Sequence, residues 1–189
     1  MSFQIKLSVA SLALAASFAT TAATIDFTGG AGNAPAFNQV IGDGTTMAVS
    51  GTRKGRDANI TMNRGGLGVK GGVNHFQSWG RETMTFSFTS AVRLNSLTFD
   101  SGTWNDWTGK DQFRYTDSSG FTTILKGGSN YWELGADNIT SFTLSAVGNW
   151  TSSFVSAVDV EAVPLPASAW MFGSALLGLA GMARRKVKK

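Results

Sequence analysis

The sequence predicts an all-β protein, an antiparallel β-sandwich of the jelly-roll kind, from three observations. Apolar and polar residues alternate with period 2 in several short segments, which is the pattern of strands with one buried face. Glycine and other turn-forming residues separate these segments. No window of ten or more residues in the body of the chain shows the apolar stripe of a helix. Short strands joined by turns are typical of sandwiches.

The clearest strand covers residues 82–89, where Met84, Phe86 and Phe88 alternate with threonine and serine. The alternation continues toward residue 99, but its phase slips at Asn95-Ser96, and a β-bulge or a short turn would account for the slip. Alternation also predicts strands at residues 142–146 and 154–160, and weaker strands are predicted at residues 25–27, 46–49, 60–62, 113–115 and 121–125.

Residues 1–23 have the layout of a secretory signal peptide. Lys6 precedes an apolar run from Leu7 to Ala19, which is too short to cross a bilayer, and small residues follow it. We expect cleavage after Ala22 or Ala23, with an uncleaved N-terminal anchor as the alternative. The predicted β-sandwich domain then covers residues 24–162.

Residues 163–189 form a distinct tail. Leu165–Ala183 contains no charged residue, and as a helix it would rise about 28 Å, close to the hydrocarbon thickness of a bilayer. The length of this uncharged segment predicts a single transmembrane helix. The cations that follow it predict a cytoplasmic C-terminus. The alternative is a buried core helix, which would normally carry a polar stripe.

Pro164, Leu165 and Pro166 precede the apolar segment of the tail, and Arg184, Arg185 and Lys186 follow it. With these features the tail resembles the PEP-CTERM sorting signal, in its "VPLPA" variety. Paired prolines precede a helix rich in small residues, and a basic cluster ends it; the family's Pro-Glu-Pro is Pro-Leu-Pro here. The resemblance implies processing near the prolines by an exosortase-like membrane enzyme, transfer to the cell surface or release, and a role in an exopolysaccharide matrix or biofilm. The residues that match the signal are Pro164, Leu165, Pro166, Arg184, Arg185 and Lys186.

The positive net charge of the chain lies at its ends. Six of the 16 basic residues belong to the signal peptide and the tail, which leaves ten against all 12 acidic residues in residues 24–162, a net charge of about −2. A nucleic-acid partner is therefore not expected. The cluster Arg53-Lys54-Arg56 is interpreted as a solvated loop.

Composition excludes several kinds of chemistry. The chain has no cysteine, which excludes disulfides, thiolate catalysis and cysteine-based metal sites. His75 is the only histidine, too few for a closed zinc site, and no G-x-S-x-G motif accompanies it. Glycoside hydrolysis is not excluded, because the chain contains acidic residues. That reaction needs two carboxylates at a particular separation from each other. We expect a non-enzymatic protein without a resident cofactor.

A glycine-rich segment has two partial resemblances. Residues 66–71 match G-x-G-x-x-G, but no helix follows them, so a glycine turn is the better interpretation than a dinucleotide site. Gly66–Val69 and Glu82 also occupy the places of a "GLGV" turn and a strand-opening glutamate in the glycine-rich β-sandwich bodies of PEP-CTERM proteins.

The segment 100–111 is the strongest candidate for ligand binding in the body. Trp104 and Trp107 offer faces on which sugar rings stack, which predicts carbohydrate binding; the alternative is that they cap the core. Calcium is a candidate ion for this segment because it takes oxygen ligands, although Asx residues also serve to form turns. The candidate calcium ligands are Asp100, Asn105, Asp106 and Asp111.

Together these features predict an exported cell-surface or matrix protein that associates with exopolysaccharide. The alternative is a membrane-tethered carbohydrate-binding β-sandwich whose C-terminal anchor is never processed.

Overall fold

The computed structural model confirms an all-β fold of antiparallel strands. It describes residues 22–41, 44–71, 76–77, 81–100, 111–126, 130–148, 151–163 and 175. The strands in these residues are, in chain order, β1 (Ala22–Asp26), β2 (Gly32–Ala34), β3 (Ala36–Val40), β4 (Thr46–Arg53), β5 (Arg56–Ala58), β6 (Ile60–Asn63), β7 (Gly66–Val69), β8 (Phe76–Gln77), β9 (Thr83–Asp100), β10 (Gln112–Asp117), β11 (Thr122–Lys126), β12 (Tyr131–Val147) and β13 (Ser152–Ala162).

The long strand β9 organises the sheet. One of its edges pairs with β12, while the other pairs with β4 through residues 83–88 and with β13 through residues 92–100. We call the strands around residues 83–88 the first half-sheet and those around residues 92–100 the second half-sheet. The first half-sheet contains β3, β4, β5, β10, β11 and the end of β12; the second contains β1, β2, β6, β7, β8, β13 and the start of β12.

The predicted irregularity in β9 is a β-bulge. Asp159 of β13 pairs with Ser96, but the next residue, Val160, pairs with Leu94. Asn95 is therefore the extra residue on β9, which explains why the alternation changes phase there.

The core contains buried apolar side chains from both half-sheets. The rings of Phe99 and Phe113 stack with centroids 4.5 Å apart, although Phe99 belongs to the second half-sheet and Phe113 to the first. Phe27, just after β1, meets Phe37 of β3 edge to face at 5.6 Å. Aromatic contacts of this kind add stability beyond the apolar area that they bury, so they hold the half-sheets together.

The predicted glycine turn at residues 66–69 is wrong, because these residues form the buried strand β7. A Cβ at Gly66 would overlap the carbonyl oxygen of Val155, and Gly66 also has a φ of +126°. The glycine is required where β7 approaches β13 closely, so tertiary packing overrides the local preference of the sequence for a turn.

The described fold begins and ends on neighbouring strands. β1 pairs antiparallel with β13, and Ala22 lies opposite Glu161. The other predicted strands overlap observed strands. In the described part of the chain no helix is long and apolar enough to cross a membrane; the predicted tail helix lies outside that part, apart from residue 175.

Candidate functional site

A basic groove lies where the chain passes from the first half-sheet to the second. Its lining residues come from the β4–β5 hairpin, from Asn59 and from Lys70, which follows β7. The groove has a volume of about 740 Å³. The residues that line it are Arg53, Lys54, Arg56, Asp57, Ala58, Asn59 and Lys70.

The hairpin has a two-residue turn that brings its cations close together. Lys54 and Gly55 both have positive φ, 52° and 74°, which is the conformation of a type I′ turn. Arg53 and Arg56 flank this turn and lie directly opposite each other. Directly opposite residues of an antiparallel pair share one face of the sheet, so the two arginines lie on the same face of the hairpin.

Arg53 is held in place by a buried carboxylate. Its Nε lies 3.3 Å from Oε1 of Glu82, a side chain with no exposed surface, whereas Arg53 itself is about one-third exposed. Gly71 packs so closely on the guanidinium that a Cβ there would overlap it. Arg53 is thus a fixed part of the groove wall, and its charge is compensated from inside the protein.

Lys70 reaches the groove because the end of β7 is tied to the crossover segment. Its backbone N–H donates to the carbonyl of Asn59 at 2.8 Å. Asn59 connects β5 of the first half-sheet to β6 of the second. This bond places the exposed side chain of Lys70 on the same groove as the hairpin cations.

The groove is strongly positive in a protein body that is slightly acidic. Lys54, Arg56 and Lys70 are exposed, and no ion pair joins any of them to another residue in the described part of the chain. Asp57 is the one carboxylate among the described lining residues. The groove therefore offers three uncompensated cations, one carboxylate and the amide of Asn59 to a ligand.

The interpretation of Arg53-Lys54-Arg56 as a solvated loop is confirmed in part: Lys54 and Arg56 are exposed, but the loop is a two-residue hairpin turn, and Arg53 at the end of β4 is held by buried Glu82. The dipeptide Lys54-Gly55 between two strand segments was the available signal, since X-Gly pairs favour such turns. No feature of the sequence brings Lys70 to this hairpin.

The structure describes two of the four predicted calcium ligands. Asp111 is buried, and its Oδ1 accepts a hydrogen bond of 2.8 Å from the backbone N–H of Ser152. The side chain of Asp100 is exposed, and its backbone carbonyl accepts a bond of 2.7 Å from Oγ of Ser153. The adjacent residues Ser152 and Ser153 thus anchor the residues on either side of segment 101–110.

The remaining site residues predicted from the sequence lie outside the described residues. In the described part, no group of three or more histidine, cysteine, aspartate or glutamate side chains is arranged to hold a metal. The predicted residues outside it are Trp104, Asn105, Asp106 and Trp107 of segment 101–110, and Pro164, Leu165, Pro166, Arg184, Arg185 and Lys186 of the tail.

Comparisons of the chain with family models, with curated proteins and with solved structures found no match.

Proposed function

We propose that this chain is an exported, non-enzymatic β-sandwich protein of the cell surface or extracellular matrix, sorted by its PEP-CTERM-like tail and associated with exopolysaccharide. The observation that supports the proposal is where the last strand ends and which strand it pairs with. β13 ends at Ala162, next to the predicted start of the tail, and its partner β1 covers Ala22–Asp26, which includes the predicted cleavage point after Ala22 or Ala23.

The pairing of β1 with β13 also determines where the predicted signal peptide and the predicted tail attach to the sheet. Because the strands are antiparallel and Ala22 lies opposite Glu161, the predicted signal peptide and the predicted tail attach to the same end of the sheet. In this proposal both hydrophobic segments enter the same membrane while the domain stays on its outer side. An exosortase-like enzyme acts on Pro164–Pro166 in this position.

A sandwich of the two half-sheets is part of the proposal. Phe99–Phe113 and Phe27–Phe37 bring rings from different half-sheets into contact. Such contacts are expected where two sheets pack face to face around one core.

The buried polar groups support a structural role. The hydroxyl of buried Thr151 accepts a hydrogen bond from the N–H of Gln112, and its one proton is shared between the carbonyls of Val147 and Gln112. Asp111 receives the N–H of Ser152, and Glu82 pairs with Arg53. Apart from the Thr151–Val147 bond, each interaction joins segments that are distant in sequence, so these groups stabilise the fold.

Two matched variants of the tail test the sorting proposal. Arg184→Gln/Arg185→Gln removes two charges from the motif, and Lys188→Gln/Lys189→Gln removes two charges beyond it. We expect the first variant to accumulate in membranes as a precursor that retains the tail of about 25 residues, since motif recognition fails. The second variant should mature normally. Immunoblots of fractionated producing cells measure both size and location.

The sorting proposal fails if the Arg184→Gln/Arg185→Gln variant matures to the same size and location as the natural protein. In that case the alternative gains support, a permanently tethered carbohydrate-binding module that uses Trp104 and Trp107.

A further inference from the structure

We propose that the basic groove binds an acidic polysaccharide, with Lys54, Arg56 and Lys70 facing the carboxylates of its uronic acid units. This inference rests on the proposed function, which places the domain among polysaccharides outside the cell. It adds a binding site and a chemical class of ligand.

The groove concentrates positive charge that the fold must offset. Arg53 and Arg56 lie directly opposite each other, and like charges in that position destabilise a strand pair. Buried Glu82 offsets the charge of Arg53, while Lys54 at the turn, Arg56 and Lys70 remain exposed cations. Proteins break local stability rules at functional sites and offset the cost elsewhere, as Glu82 does for Arg53.

The lining also suits sugars better than nucleic acid. None of the described lining residues is aromatic, whereas single-stranded nucleic acids are usually held by base stacking on aromatic side chains. Asp57 and Asn59 provide acceptors for hydroxyl groups beside the cations. A uronic acid polymer carries hydroxyls and carboxylates on every unit, so it uses both kinds of lining group.

The size of the groove agrees with this ligand. Its volume of about 740 Å³ lies within the range of about 300–1,000 Å³ for sites that hold small organic ligands. The groove therefore has room for a short stretch of a polymer chain.

The experiment is affinity electrophoresis of the protein purified from its producing cells. Native gels contain polygalacturonate, neutral dextran, or polyacrylate, which is a polycarboxylate without hydroxyls. We expect polygalacturonate to retard the protein and dextran to leave its mobility unchanged. Retardation should decrease in 0.5 M salt, because the salt screens exposed charges and shortens the distance over which they interact to about 4–5 Å.

A matched pair of variants locates the binding surface. Lys54→Gln/Arg56→Gln should weaken binding to polygalacturonate by about tenfold, because each exposed ion pair contributes up to about fivefold. Arg114→Gln/Lys126→Gln removes the same charge from exposed positions on β10 and β11 and should leave binding unchanged. Equal weakening by both variants would assign binding to net charge and overturn the proposal.

Asp57→Ala separates recognition of a sugar from attraction to any polyanion. Removing a negative charge should strengthen binding to polyacrylate, but losing a hydroxyl acceptor should weaken binding to polygalacturonate by severalfold. Stronger binding to both polymers would overturn the sugar assignment, as would tighter binding to single-stranded poly(dT) than to polygalacturonate. These outcomes do not depend on the tail, so they leave the sorting test unaffected.

Discussion

At the scale of single residues, buried polar side chains fix the connections between strands. Asp117 shows this most clearly, because its Oδ1 accepts hydrogen bonds from the N–H groups of Ser119 and Phe121 and from the hydroxyl of Ser119. Its Oδ2 accepts a bond of 3.2 Å from the hydroxyl of Tyr115. One carboxylate thereby closes the β10–β11 turn and satisfies a buried phenol.

The first prediction at this scale concerns Tyr115. Burial raises the pKa of its hydroxyl far above the ordinary value near 10, and the negative charge of Asp117 and their hydrogen bond raise it further. A raised folded-state pKa gives stability that is complete below pH 10 and is lost as the pH rises above it. We expect the free energy of unfolding to fall by up to about 1.4 kcal/mol per pH unit above pH 10 because of this group.

The measurement is the absorbance of tyrosinate at 295 nm in a Tyr131→Phe variant, in which Tyr115 is the remaining tyrosine. The tyrosinate signal should appear together with loss of the folded state, and circular dichroism monitors that loss. Ionisation of Tyr115 near pH 10 with the fold intact would contradict this description of its environment.

Sequence reasoning did not anticipate these residue-scale roles. Asp111 was predicted as a calcium ligand, yet its Oδ1 accepts the N–H of Ser152, 41 residues away in the chain. Glu82 was noted as the opening residue of a strand, but its partner Arg53 was assigned to a solvated loop. A partner that is distant in sequence leaves no local pattern, so only the fold reveals such pairs.

At the scale of elements, period-2 alternation predicted the strands well. It located the half-buried strand around residues 83–89 and the irregularity at Asn95, because both follow from which face of a strand is buried. It failed at Gly66–Val69, where burial on both faces removes the alternation and glycine content favours a turn.

The prediction at this scale concerns Gly66. Gly66→Ala should lower the free energy of unfolding by at least about 2 kcal/mol, because the new Cβ overlaps the Val155 carbonyl and an alanine at this positive φ is strained. Gly32→Ala is the matched control, since no heavy atom lies within 4 Å of its new Cβ and the residue lies in a strand. The control should stay within about 0.5 kcal/mol of the natural protein.

Urea unfolding midpoints measure both glycine variants. Equal midpoints for the two would show that β7 does not approach β13 as closely as described.

At the scale of the whole molecule, composition and periodicity predicted the all-β class that the described strands show, but they did not predict the strand order. The groove brings the β4–β5 hairpin to Lys70, and only the crossover at Asn59 and the packing of β7 bring these segments together. Each cation of the basic groove can be read from the sequence. Their shared location depends on pairing between strands that are distant in the sequence.

The first and last described strands, β1 and β13, bear on how both ends of the chain are processed. Because β1 pairs antiparallel with β13, the points at which the predicted signal peptide and the predicted tail attach lie at one end of the sheet. The central claim is that the mature protein has lost both segments.

The intact mass of the mature protein, measured by mass spectrometry on material from its producing cells, tests that claim most directly. We expect a species that begins after Ala22 or Ala23 and ends near Pro164–Pro166, apart from any group added by the processing enzyme. A mass that retains the residues up to Lys189 would contradict the account and would identify a permanently anchored protein.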